Sequence, residues 1–99
     1  MVVGTLTFDL LLGDVHSLKE KRSVLRPIIS QLRKRFDVAA AETGDQELHR
    51  RAEVSVAVVA GEHAHVREVL ESCDRLMTSF PEVEILKTRH RILDDDDLD

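Results

Sequence analysis

The residues of this sequence best suited to chemistry are cations on a segment with helical periodicity. Projected at about 100° per residue, four of them fall within an arc of about 60°, immediately beside an apolar stripe. These four, called the basic ridge from here on, are Lys19, Arg22, Arg26 and Arg33. Glu20 is the only acid between residues 18 and 36, so the ridge is not neutralised within its own helix.

The basic ridge has two interpretations. Rows of Lys and Arg bind phosphate backbones because each neutralised phosphate releases counterions. A charged exterior that keeps a small domain soluble has the same composition, and the sequence leaves both interpretations open. Arg50 and Arg51, in a polar segment, are second candidates for contact with a partner. Lys21 and Arg35 project nearer the apolar stripe, so we expect their stems to cover the core edge with their charged groups in water.

The other reactive residue types form no catalytic or metal-binding pattern. His63 and His65 lie two residues apart at a predicted helix start, with no further ligand at an obvious spacing, and are interpreted as part of a polar cap. Cys73 falls on an apolar stripe, where burial suppresses thiolate chemistry. No GxGxxG, P-loop or Gly-x-Ser-x-Gly motif occurs. We therefore predict no catalytic, cofactor-binding or metal-binding residues.

The hydrophobic period switches along the chain and predicts six elements. They are a strand over 2–12, a helix from near Leu18 that ends at Asp37, a strand over 38–42, a strand over 52–60, a helix that ends before Pro81, and a strand over 83–92. Ser17 and Glu20 form a capping-box pair at the first helix start. Pro27 predicts a kink in that helix. Residues 43–51 are predicted to form a loop with one helical turn.

The order βαββαβ predicts an α+β fold, the ferredoxin-like sandwich. In that fold, a four-stranded antiparallel sheet has the strand order 4-1-3-2 and both helices cover one face. The alanine-rich strand over 38–42 has weak strand propensity, which places it at an edge. One domain is expected over residues 1–93, because 99 residues suffice for a single core.

The open face of the predicted sheet offers a second candidate surface. It is predicted to carry Thr5, Thr7, Asp9, Ser55, Ala57, Val59, Lys87, Arg89 and Arg91. Within it, Asp9 is expected to pair with a cation, and the set Asp9, Lys87, Arg89 and Arg91 is the alternative contact site. The chain has no Trp or Tyr, and its three Phe residues fall at core positions, so base stacking on this face is not expected. A phosphate flank, a self-association face and a solvated strand remain open.

Charge is distributed unevenly along the chain. Residues 1–36 hold seven Lys/Arg and three acids, whereas residues 37–99 hold seven Lys/Arg and sixteen acids. The final six residues, DDDDLD, repel one another and are predicted to form a disordered acidic tail over 94–99. The alternative is a tail that competes with nucleic acid for the basic ridge.

Composition also bears on the compartment. No apolar run approaches the roughly 20 residues of a membrane span, and the first apolar stretch lacks a preceding basic region. A lone cysteine fits a reducing environment. We expect a cytoplasmic protein with no membrane contact.

Four segments of the chain carry a resemblance to a known family. They are VGTLTFDLLL, SLKEKR, AAETGDQELHRRAEVSVAVV and HVREVLES. Over residues 1 to 92, the chain resembles the YlxP-like family of small bacterial proteins, a domain family without an assigned function. The resemblance implies a ferredoxin-like fold, a cytoplasmic protein, and a gene near those for translation initiation and ribosome maturation factors. His49 stands where family members often have Trp, and DDDDLD lies outside the family pattern.

Three functional hypotheses follow. The first is a non-enzymatic accessory factor that contacts ribosomal RNA or a translation-associated protein through the basic ridge. The second is a self-associating or protein-binding module that uses the open sheet face or the alanine-rich edge strand, with no nucleic-acid role. The third is an enzyme, which would need titratable groups converging around Asp9, Asp45 and His49. No cofactor is expected in any of them.

Overall fold

The computed structural model describes residues 1–99 and contains the six expected elements and a short seventh. In chain order they are β1 (Val2–Leu12), α1 (Leu18–Phe36), β2 (Ala39–Gly44), β3 (Arg51–Ala60), α2 (His63–Thr78), β4 (Val83–Leu93) and α3 (Asp95–Leu98). No helix has both the length and the apolar content needed to cross a membrane.

The four strands form one antiparallel sheet in the order β2-β3-β1-β4, which is the predicted order read from the opposite edge. This confirms the fold class. β1 is central and pairs with β3 on one side and with β4 on the other. β2 and β4 are therefore the edge strands, and the prediction of an edge position for the alanine-rich strand is confirmed.

The core lies between the sheet and the two long helices. Every second residue of β1 is buried, and Phe8, Leu10 and Leu12 are fully enclosed. α2 packs over β1, β3 and β4, whereas α1 lies towards β2. Because side chains alternate along a strand, the odd-numbered residues of β1 and β3 face away from the helices and define the open face of the sheet.

Side chains fix both ends of α1. Ser17 Oγ accepts a hydrogen bond from the Glu20 N–H at 3.1 Å, as the sequence predicts. The Glu20 carboxylate reaches one residue further back than in a capping box and accepts from the His16 N–H at 3.0 Å. Asp37 ends the helix in the left-handed region, with φ 54°. The helix is continuous through Pro27.

Two segments differ from the sequence-based expectation. β2 starts one residue later than predicted and extends to Gly44, which leaves only residues 45–50 as a loop. At residues 94–99, where composition predicts disorder, the chain forms the single turn α3. Asp94 caps this turn by accepting from the Asp96 and Asp97 N–H groups, and the hydrogen bond from Asp97 lowers the pKa of the Asp94 carboxyl.

Gly4 marks the closest approach of β1 to α2, and its substitution tests that packing. A Cβ at Gly4 would clash with Val66 Cγ1 and lie 3.1 Å from Leu70 Cδ1. We expect Gly4→Ala to lower the free energy of unfolding by about 1 to 3 kcal/mol, measured by urea denaturation, because overpacking forces the helix away from the sheet. Gly13→Ala is the matched control, since a Cβ there meets nothing within 4 Å. Equal stability of the two variants would contradict this packing.

Candidate functional site

Three members of the basic ridge are exposed and free. Lys19, Arg22 and Arg26 lie on the solvent side of α1, and none of them forms an ion pair or a side-chain hydrogen bond in the structure. The helix places them one turn apart, as the spacing predicts. Their charges are therefore available to a ligand.

Arg33, the fourth member of the ridge, is partly engaged by the protein itself. Its Nε and Nη2 atoms donate to the Ala40 carbonyl oxygen at 3.0 and 2.6 Å. Ala40 belongs to the edge strand β2, so the contact ties the end of α1 to that edge. Helical projection could not reveal this partner, because it lies on another element.

Arg50 and Arg51 lie apart from the ridge. Arg50 Nε donates to the Leu12 and Gly13 carbonyl oxygens at 3.1 and 2.9 Å, which fixes the side chain at the end of β1. Arg51 opens β3 opposite Leu11 and is exposed at the end of the sheet. No contact joins either residue to Lys19, Arg22 or Arg26.

Lys21 has a structural role that the sequence analysis did not predict. It is 1% exposed, so the expectation that its ammonium lies in water is wrong. Its Nζ donates to the carbonyl oxygens of Asp45 and Leu48 at 2.6 and 2.7 Å and lies 2.8 Å from Glu42 Oε2. The buried ammonium thus has two hydrogen bonds to backbone carbonyls and an ion pair with the Glu42 carboxylate, which compensates its charge. Arg35, for which the same expectation was made, is exposed and stacks 5.6 Å from the Phe36 ring centroid.

Lys21 organises the loop over residues 45–50. Two of the three acceptors are loop carbonyls, and the third is the carboxylate of Glu42 on the helix-facing side of β2. Asp45 adopts a left-handed conformation, with φ 57°, which turns the chain out of β2. Arg50 anchors the other end of the loop at β1. The signal available in the sequence was the position of Lys21 in the row Leu25, Ile28 and Leu32, together with a facing acid.

The open face of the sheet carries a hydrogen-bonded polar network across its strands. Ser55 Oγ lies 3.0 Å from Thr7 Oγ1 and 2.7 Å from Thr43 Oγ1. Thr43 also donates to Glu53 Oε1 at 2.7 Å, and Glu53 Oε2 lies 3.3 Å from Arg89 Nη2. These side chains form hydrogen bonds with one another. Arg89 therefore already has a partner within the protein, Glu53.

The alternative site on this face is only partly assembled. Strand register places Lys87 opposite Asp9, Arg89 opposite Thr7 and Arg91 opposite Thr5, so all three cations stand on the open face as predicted. Asp9 nevertheless forms no ion pair. The cation that is paired on this face, Arg89, has Glu53 as its partner. Lys87 and Arg91 are exposed and unpaired.

Neither histidines nor cysteine form a reactive centre. His63 Nε2 lies 3.5 Å from Asp94 Oδ2 on the surface. Burial raises the pKa of the Cys73 thiol to about 11. No group of three or more His, Cys, Asp or Glu side chains is arranged to hold a metal ion, and this includes Asp9, Asp45 and His49.

A groove lies between α2 and the edge strand β4. It encloses about 340 Å³. Its floor is apolar, formed by Leu6, Leu70 and Ile92. Its rim is polar and is formed by Arg67, Glu71, Asp74, Thr88 and His90.

These features define a class of protein and then a family. The antiparallel sheet with two helices on one face makes the chain an α+β protein of ferredoxin-like topology. The chain belongs to the family described as "Protein of unknown function (DUF503)", whose model matches residues 3–90. It is 31% identical over 88 residues to the uncharacterized protein YlxP of Bacillus subtilis (strain 168), which covers 89% of this chain and 96% of that protein. The resemblance carried by the sequence motifs is confirmed.

Solved structures of distant proteins share the fold. The de novo designed protein Foldit4 superposes with a TM-score of 0.57 at 11% identity, covering 96% of this chain and 99% of that one. A variant of SnoaB, a cofactor-independent oxygenase from Streptomyces nogalater, superposes with a TM-score of 0.51 at 9% identity, covering 94% and 91%. At these identities the similarity concerns the fold alone.

Removing the Lys21 ammonium tests its role in holding the loop. We expect Lys21→Met to lower the free energy of unfolding by about 3 kcal/mol in urea denaturation, because Glu42 and two carbonyls lose their partner. The expected loss is at the lower end for a buried pair, since Glu42 is 22% exposed.

Two further variants isolate the effect of the charge. Lys19→Met removes an exposed, unpaired cation two residues away on the same helix and should change stability by no more than about 0.5 kcal/mol. Adding Glu42→Leu to Lys21→Met should restore part of the loss, because the carboxylate is then no longer left unpaired. A Lys21→Met variant as stable as Lys19→Met would show that the buried ammonium does not hold the loop.

Proposed function

We propose that this protein is a non-enzymatic accessory factor that contacts RNA through the basic ridge of α1. The observation that supports this proposal is the set of three exposed cations, Lys19, Arg22 and Arg26, that no acid of the protein neutralises. Such an uncompensated row of cations suits a phosphate backbone, because each phosphate that it neutralises releases counterions.

The spacing of these cations suits a phosphate backbone. Lys19 and Arg26 are seven residues apart, which corresponds to about 10 Å along the helix axis. This length spans several successive phosphates of one RNA strand, so each of the three cations can reach its own phosphate. The contacts would be independent of base sequence, in keeping with the absence of Trp and Tyr.

The charge distribution also favours RNA contact at one region of the protein surface over contact at many regions. The chain has a formal net charge of -5, so phosphate is repelled by most of the molecule. Attraction is strongest where unpaired cations cluster, as they do on the ridge, and such a local attraction orients the protein on its ligand. Arg33 adds positive charge to this region, although its guanidinium donates two hydrogen bonds to the Ala40 carbonyl oxygen.

The proposed partner is ribosomal RNA or a protein bound to it. This choice rests on the translation-linked gene neighbourhood implied by the YlxP-like resemblance. A cytoplasmic location follows from such a partner. The absence of a catalytic role is part of the proposal, supported by the lack of converging titratable groups at Asp9, Asp45 and His49.

Charge reversal of the ridge tests the proposal. We expect the triple variant Lys19→Glu, Arg22→Glu, Arg26→Glu to lose co-sedimentation with ribosomal particles at low salt, because the three phosphate contacts become repulsions. Binding of the unmodified protein to purified ribosomal RNA should weaken with salt. The slope of log K against log salt should be smaller by about 2 to 3 when the same cations are replaced by neutral glutamine.

A matched variant controls for net charge. Lys34 of α1 and Arg67 and Arg75 of α2 are exposed cations that lie off the ridge, and their reversal to Glu changes the net charge equally. This control should retain co-sedimentation. If both triple variants bind alike, or if neither binds less than the unmodified protein, the ridge is not the contact.

A homodimer through the open sheet face is the second candidate function. The observation in its favour is Val59, which is 62% exposed on that face beside Val3 and among the small side chains of Ala39 and Ala57. Such an apolar end of a sheet allows close approach of a second copy. The β2 edge is a weaker candidate, because Arg33 occupies the Ala40 carbonyl.

Light scattering distinguishes the two candidates. A dimer mass that ribosomal RNA leaves unchanged, and that Val59→Glu converts to a monomer mass, is the result expected of the second candidate. Thr5→Glu, on the same face but within its polar part, serves as the control. A monomer that shifts only when ribosomal RNA is added would contradict the second candidate and agree with the first.

A further inference from the structure

β4 is an edge strand with an unusually long free side. It spans Val83–Leu93 and pairs only with β1, so the backbone groups on its outer side have no partner strand. Its central residues are exposed on both faces of the sheet. An edge of this length can accept an additional strand, which is a recurring way in which a sheet binds an extended peptide.

The two faces of β4 differ in chemistry. Lys87, Arg89 and Arg91 project from the open face. On the opposite face, Thr88, His90 and Ile92 border the groove beneath α2, whose floor includes Leu6 and Leu70. An added strand would therefore meet cations on one side and an apolar groove on the other.

We propose that β4 binds an extended segment of another protein in which acidic and aliphatic residues alternate. The segment would add a fifth strand to the sheet. Its acidic side chains would stand opposite Lys87, Arg89 and Arg91, and its aliphatic side chains would enter the groove between α2 and β4. Alternation with period two matches the two faces because successive side chains of a strand point in opposite directions.

The charges of β4 select an acidic partner. Side chains directly opposite on neighbouring strands lie about 4.5 to 5.5 Å apart, close enough for acids on the added strand to pair with these cations. Lys87 and Arg91 form no ion pair within the protein, and only Arg89 has a partner, Glu53 at 3.3 Å. Two full charges are thus free for the added strand.

The same charges exclude a second copy of this chain as the occupant. Antiparallel pairing of two β4 strands about their centre would set Lys87 of one copy opposite Arg89 of the other. Like charges directly opposite destabilise a strand pair. Cations on an edge strand are a common way to prevent such self-pairing.

The groove rim fixes the register of the bound segment. The rim carries two acids, Glu71 and Asp74, against one arginine, Arg67. A slip of one residue would turn the acidic side chains of the segment towards this rim and its aliphatic side chains towards Lys87 and Arg91. Only one of the two registers satisfies both faces.

A synthetic peptide provides a direct test. We expect a fluorescently labelled ten-residue peptide of alternating Glu and Val to bind the full-length protein by fluorescence anisotropy, whereas a peptide of alternating Lys and Val should not. In hydrogen-exchange NMR, the acidic peptide should slow the exchange of amides in β4 and leave those of β2 unchanged, since only the β4 edge gains a partner strand.

Paired variants separate this site from the proposed RNA contact. Lys87→Glu together with Arg91→Glu should weaken binding of the acidic peptide by about tenfold or more and leave ribosomal RNA binding intact. The ridge variant Lys19→Glu, Arg22→Glu, Arg26→Glu should show the opposite pattern. All of these positions are exposed, and retention of the unfolding transition in urea confirms that each variant is folded.

Four results would overturn the proposal. The first is equal binding of the acidic and basic peptides. The second is unchanged exchange of the β4 amides when the acidic peptide is bound. The third is protection of the β4 edge without peptide in a concentration-dependent dimer, which would identify a second copy as the occupant. Loss of RNA binding on reversal of Lys87 and Arg91 would instead assign these cations to phosphate.

Discussion

A lysine ammonium taken out of water needs an acceptor for each of its three protons, and this requirement organises one side of the molecule. Lys21 donates to two carbonyls of loop 45–50 and forms an ion pair with Glu42. A single side chain thereby joins α1, β2 and the loop, where β2 itself contributes mainly alanine to the packing. The contacts also set the rotation of α1 about its axis, so that Lys19, Arg22 and Arg26 stand outside, along the β2 edge.

The two edge strands differ in whether their outer backbone groups are covered. The two candidate surfaces lie at these opposite edges of the sheet. At β2, Arg33 covers the edge by donating twice to the Ala40 carbonyl. At β4, the backbone stays free and only the cations of the open face discourage pairing with another copy. Two paired strands, β3 and β1, lie between these edges. A ligand at one surface therefore need not compete with a ligand at the other.

Periodicity was sufficient for the fold because nearly every core residue obeys it. Alternation in β1 and β3 and the helical spacing of α2 each bury the side chains expected, and the strand order follows from two right-handed crossovers. The projection of α1 also placed Lys19, Arg22 and Arg26 correctly on the surface. It failed for Lys21 and gave no information on Arg33, because their partners are on β2 and in the following loop. Such contacts depend on the spatial neighbours of a residue, which a single helix projection does not contain.

The burial of Lys21 has an evolutionary consequence. Within SLKEKR, Lys21 is held by its contacts with Glu42 and the loop, whereas the side chains of Lys19 and Arg22 form no hydrogen bond or ion pair. Selection for folding alone would preserve the former in any descendant, whatever the protein binds, and would let the latter drift. Invariance at Lys21 across related bacteria would thus be a record of stability, and retention of charge at positions 19, 22 and 26 would be the mark of a shared ligand.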